Sequence, residues 1–136
     1  MRWTNMVIAA ALVAALPLAP LFAASEDAAA PRSTAKLSAR DAGARYGEAA
    51  GAILVCDGLR ITDRVAELRA LYQGDELTDF DAQAGKILQA WRDTLNCEHA
   101  DGPADCRVSR QWSCRQALQE IGPSGTALQG LIEPKN

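Results

Sequence analysis

The chain has 136 residues, 14 lysines and arginines against 17 aspartates and glutamates, four cysteines and one histidine, for a net charge of −3. An acidic chain with no basic block lacks the electrostatic footprint that nucleic acid or an anionic lipid surface requires. Any nucleophilic site built on an imidazole must use His99, the single histidine.

The first residues read MRWTNMVIAAALVAALPLAPLFAASED. Arg2 supplies a positive start, residues 6–24 are uncharged and apolar, and small residues then lead directly into Glu26 and Asp27. That order predicts a signal peptide over residues 1–24 and a periplasmic or secreted protein. Pro17 and Pro20 end the apolar helix and present an extended segment to a peptidase. An uncleaved anchor is the alternative, because Leu21 or Phe22 stands where the peptidase prefers a small residue. Cleavage removes Arg2 and no acid, leaving 13 basic residues against 17 acidic ones and no remaining span. Residues 25–37 carry Pro31 without apolar periodicity and predict a flexible leader.

Residues 38–136 predict one all-α domain, a small four-helix bundle stapled by two disulfides. The first helix runs from Ser38 to Cys56. Ala42, Tyr46, Ala49, Ala50, Ile53 and Leu54 form its expected apolar face, with Asp41, Arg45 and Glu48 on the polar side. Gly43, Gly47 and Gly51 recur every four residues. Each costs a helix interior about 1 kcal/mol, which close approach of a second backbone would offset. Asp57-Gly58 then makes a turn.

The second helix starts at Thr62, the expected N-cap, carries Val65, Leu68 and Tyr72 inward, and ends at Gly74. The third is expected to start at Thr78, with Asp81 completing a weak capping box. Phe80, Ala84, Ile87, Leu88, Trp91 and Leu95 step along its apolar face. A loop over Glu98–Asp105 follows. Ser109 is the expected N-cap of the fourth helix, which carries Cys114, Ala117, Leu118 and Ile121 inward and stops at Gly122-Pro123. Leu128, Leu131 and Ile132 are expected to fold back as a short cap. No window alternates with a period of two.

Three cysteines and His99 crowd into residues 97–114. As a zinc site, Cys97, His99, Cys106 and Cys114 have the wrong spacing, because structural zinc knuckles place ligands two to four residues apart in pairs. Neither Cys-x-x-Cys nor Cys-x-x-Cys-His occurs, so redox and haem-attachment motifs are missing. An even cysteine number in an exported chain reads as disulfides. Cys97 and Cys106 flank a helical hairpin, and Cys56 and Cys114 lie on apolar faces, which predicts Cys97–Cys106 and Cys56–Cys114. The alternative is Cys56–Cys97 with Cys106–Cys114.

No Gly-x-Ser-x-Gly elbow or phosphate loop is present, and the carboxylate pairs Asp79/Asp81 and Asp101/Asp105 look like ordinary surface acids. The expected function is therefore protein binding without a cofactor, as accessory subunit, inhibitor or immunity factor for another envelope or secreted protein. The alternatives are metal handling through the Cys/His cluster or a small carboxylate-dependent hydrolase. Trp112, with Arg110 and Arg115 near it, is the candidate partner-binding residue, since Trp and Arg dominate protein interfaces. The competing role for Trp112 is packing beneath the Glu98–Asp105 loop.

Overall fold

A computed structural model describes residues 36–136; the expected signal peptide and most of the expected leader lie outside the described residues. The described chain is mostly helical. Four helices, α1 (Ala39–Val55), α2 (Arg64–Ala70), α3 (Gly74–Leu95) and α4 (Pro103–Ile121), are joined by a two-stranded sheet of β1 (Leu59–Ile61) and β2 (Ile132–Pro134).

The central feature is the contact of α1 with α3. Gly43 lies against the Phe80 backbone, Gly47 against the Ala84 backbone and Gly51 against the Trp91 ring. These pairs advance together, so the two helices run in the same direction. A β-carbon built on any of the three glycines would collide with its neighbour. The every-fourth-residue spacing is therefore used as expected, for close approach.

The same contact corrects the expected face of α1. The buried residues are Ala42, Gly43, Gly47, Glu48, Ala49, Gly51 and Ala52. Ile53 and Leu54 are exposed instead. Bulky side chains cannot enter a seam whose width is set by glycine, so they are turned outward and Glu48 is carried in.

Between them, α2 returns the chain to the start of α1. Tyr72, just past α2, donates its hydroxyl hydrogen to the Leu37 carbonyl oxygen at 2.7 Å. Its ring packs on Phe80 at 5.2 Å between centroids, and Tyr46 meets Phe80 edge-on at 5.3 Å. These three aromatics close the lower end of the α1–α3 seam with a large apolar area.

Three expected helix starts are corrected. Thr62 does not cap α2; its hydroxyl donates to the Gly130 carbonyl at 2.6 Å, tying β1 to the C-terminal segment. α3 begins at Gly74, one turn before Thr78, with Asp75 and Glu76 beside the positive helix end. Gly74 thus opens α3 rather than ending the helix before it. α4 begins at Pro103, not Ser109. Proline suits the first helical position because its missing N–H is one that has no partner there anyway.

The sheet was not visible in the periodicity. Ile61 pairs with Ile132 and Leu59 with Pro134, antiparallel. Three residues per strand are too few to show a period of two. Leu131 and Ile132 are fully buried with Ile121, so the expected C-terminal cap is present but arrives as a strand.

Both expected disulfides form. Cys56–Cys114 ties the end of α1 to α4 with Cα atoms 5.6 Å apart. Cys97–Cys106 ties the end of α3 to the first turn of α4, 5.3 Å apart. Cys97 has φ of 60°. Its amide and that of Glu98 donate back to Thr94 and Asp93, the double closure that usually selects glycine at this position. Cys97 is the one non-glycine residue among the described residues in that left-handed conformation. Arg110 adds a third tie, donating from its guanidinium to the Leu95 carbonyl, one of the last carbonyls of α3.

Two substitutions test the seam. Gly47→Ala should destabilise the fold by about 3 kcal/mol, at the upper end of overpacking costs, because backbone must move. Gly85→Ala on the same helix pair meets no neighbouring atom and should stabilise by about 0.5–1 kcal/mol through helix propensity. Urea unfolding with both disulfides intact measures both.

Candidate functional site: an ion-bridged groove and an exposed tryptophan

Two surfaces carry chemistry, and they adjoin on α4. The first is the face that holds Trp112. Its side chain is 61% exposed, and Val108, one turn earlier, is 58% exposed. Residues four apart lie on one helical face, so the two form an apolar strip. Arg115 is exposed beside Trp112, and the two line one surface depression with Gln116, Gln119 and Glu120. The packing role for Trp112 is excluded by this exposure. The chain expected to cover it is itself helical from Pro103 onward.

Arg110 does not join that surface. Two residues from Trp112 along a helix, it points to the opposite side and is occupied with the Leu95 carbonyl. Its Nε is buried without a hydrogen-bond partner among the described residues. Arg110 therefore stands as a helix-end tie, and the exposed site keeps Trp112 and Arg115.

The cysteines form no ligand cluster. All four are cross-linked, so the thiolates that Cys97, Cys106 and Cys114 would offer a metal are consumed. His99 is exposed in the α3–α4 connection. The surface acids pair locally. Asp81 accepts both guanidinium arms of Arg69, at 2.7 and 3.0 Å, which lowers its pKa. Asp105 accepts from the Asp101 amide at 3.1 Å.

The second surface was missed in the sequence. α1, α3 and α4 enclose a groove of about 360 Å³. α1 contributes Ala44, Arg45 and Glu48; α3 contributes Ile87, Ala90, Trp91 and Thr94; α4 contributes Ser113, Gln116, Ala117 and Glu120. One guanidinium nitrogen, Arg45 Nη1, donates to Glu48 Oε2 at 2.8 Å and also to Glu120 Oε2. Gln116 donates to the other Glu120 oxygen at 2.7 Å. Arg45 and Glu48 stand three residues apart on α1 and would read as a solvated pair; only the fold brings Glu120 to them from 75 residues away.

Their surroundings push the two carboxyls apart. Burial raises the Glu48 pKa above its ordinary 4.5, outweighing the pull of Arg45. Glu120 is lowered from the same value by the Gln116 hydrogen bond and by Arg45, against a smaller burial. The cluster thus carries two carboxylates and one guanidinium, with the deeper carboxylate incompletely compensated.

Comparison with protein-family models, with curated proteins and with solved structures finds no match. The site therefore stands on its own geometry.

The pKa directions give stability a defined pH dependence. Glu48 binds its proton more tightly folded than unfolded, so stability falls as pH rises from 4.5 through its raised value. Glu120 has the opposite sign, and its contribution is lost as pH falls below 4.5. Unfolding free energies measured between about pH 3 and 8 should show a maximum in the acid range, and Glu48→Gln should flatten the alkaline limb. An unchanged limb in that variant would contradict the assignment.

Proposed function

We propose that this is a small exported binding protein that docks another envelope or secreted protein on the Trp112 face of α4. The supporting observation is an indole 61% exposed on a rigid helix, clamped to the rest of the fold by both disulfides. A monomer has little reason to leave its large aromatics in water, and tryptophan is among the residues that most often anchor interfaces. The surroundings suit docking. Val108 extends the apolar area, and Arg115 stands ready for a carboxylate on the partner. Both cross-links fit an oxidising compartment, where disulfides persist. Among the described residues, no helix is long and apolar enough to cross a membrane.

Roles as accessory subunit, inhibitor or immunity factor all use such a surface. Metal handling loses its ligands to the disulfides. Acid–base hydrolysis draws some support from the divergent Glu48 and Glu120 carboxyls, since such pairs assign acid and base roles. Arg45, however, stands between them and bonds both, an arrangement that suits holding a charge better than passing a proton.

Trp112→Ala should change unfolding free energy by no more than about 0.5 kcal/mol, the usual range for surface positions. It should weaken binding of the partner, identified by affinity capture from the host envelope and then purified, by about 2 kcal/mol or more. Trp91, 9% exposed, is the control: Trp91→Ala should destabilise by about 3–5 kcal/mol. Equal losses of stability at both positions, or unchanged partner affinity for Trp112→Ala, would refute the docking role.

A further inference from the structure

The groove beside Trp112 has more negative charge than its own cation neutralises. Glu48 is 8% exposed, yet its only hydrogen bond among the described residues reaches Oε2, from Arg45. Oε1 has no donor. An ionised carboxylate offers about four acceptor positions, and an oxygen that meets only water can exchange that water for a ligand's donor. Burial of the carboxyl as a whole is the largest influence on Glu48 and raises its pKa. A further positive donor entering the groove would meet this unused oxygen. Its walls suit the stem of such a group: Ile87, Ala90 and Trp91 line it from α3. An ammonium over an indole gains cation–π attraction as well.

The groove is also continuous with the Trp112 face. Gln116 and Glu120 line both depressions. A chain lying against Trp112 therefore passes the mouth of the groove.

We infer that the groove receives a lysine side chain of the protein that docks on Trp112, its methylene stem against Trp91 and its ammonium on Glu48 and Glu120. This inference rests on the docking reading of the Trp112 face. The occupant is fixed by charge, because two carboxylates and one guanidinium leave an acidic site. A compact ammonium with three donors fits the free Glu48 oxygen, and a long stem can lie on the apolar wall while its head reaches the acids.

The first part of the test needs no partner. The full disulfide-bonded chain is titrated with n-butylammonium, with the tripeptide acetyl-Ala-Lys-Ala-amide and with uncharged n-butanol. The Trp91 and Trp112 indole N–H signals are followed by NMR. Saturable binding of butylammonium and of the lysine peptide, displacing the Trp91 signal, is expected, with butanol at least about tenfold weaker. Glu48→Gln, which removes the charge and keeps the shape, should weaken both cationic probes by about tenfold or more. Asp81→Asn, in a separate surface pair, should leave them unchanged.

No saturable binding of the cations, equal binding of butanol, or unchanged affinity in Glu48→Gln would overturn the site. Binding of butylammonium without the peptide would overturn the lysine assignment in favour of a free amine. Trp112→Ala separates the two readings. Cation binding that survives this change while partner affinity also stays intact removes the docking reading, and the docked partner's lysine with it, but leaves the cation site. Loss of cation binding in Glu48→Gln with partner affinity unchanged removes the lysine assignment alone.

Discussion

The close approach of α1 to α3 is the constraint on which the rest of the structure depends. Three glycines on α1 let its backbone touch the backbone of α3 at Phe80 and Ala84 and the ring of Trp91. Interiors are close-packed, so a seam this narrow leaves no tolerance for side chains in it. The consequence runs around the whole helix. Alanines fill the flanks of the seam, Ile53 and Leu54 are expelled, and the next available side faces α4. On that side stand Arg45 and Glu48.

α4 supplies what the seam does not. Its sequence is polar around most of its circumference, and only Cys106, Ala117 and Ile121 are buried. Burial of three residues is weak attachment for nineteen. The disulfides carry the difference. Cys56–Cys114 closes 58 residues of sequence and Cys97–Cys106 closes nine, contributing about 4 and 3 kcal/mol in the chain-entropy description. A helix held by covalent ties can leave large side chains exposed. This one presents Val108, Trp112 and Arg115 outward, and turns Gln116 and Glu120 to the groove. The C-terminal segment completes the arrangement, returning from α4 to pair with β1 and burying Leu131 and Ile132 beneath it.

The groove and the tryptophan face share a logic. Glu48 is buried because the seam carries it in, and Arg45 and Glu120 follow to compensate part of its charge. Burying a carboxylate with a single shared cation gives little stability, and a hydrophobic replacement would often do as well. On the proposed reading, the solvent-facing Glu48 oxygen is where a positive group from outside would bind. The buried carboxylate and the exposed tryptophan are thus linked along about two turns of α4, from Trp112 to Glu120.

The sequence by itself determined the four helices, much of the core of α3 and α4 (Phe80, Ala84, Trp91, Ala117 and Ile121, though not Leu88 or Leu95), the purpose of the glycines and the pairing of all four cysteines. Each of these is local: a period of 3.6, a spacing of four, or cysteines placed at the ends and on the apolar faces of helices. Helix starts were legible only where a side chain caps, as Ser38 does by accepting from the Asp41 amide. At Gly74 and Pro103 no side chain caps, so the periodicity pointed several residues too late. What only the tertiary structure decided depends on partners distant in the chain. Ile53 and Leu54 are exposed because glycine, not leucine, sets the interhelix distance. Arg110 belongs to the end of α3 because the hairpin brings it there. β1 and β2 exist because residues more than seventy apart meet. Above all, Arg45 and Glu48 look like a solvated surface pair until the antiparallel return of α4 places Glu120 against them. A charge cluster spanning 75 residues of sequence has no periodic signature from which it could be read.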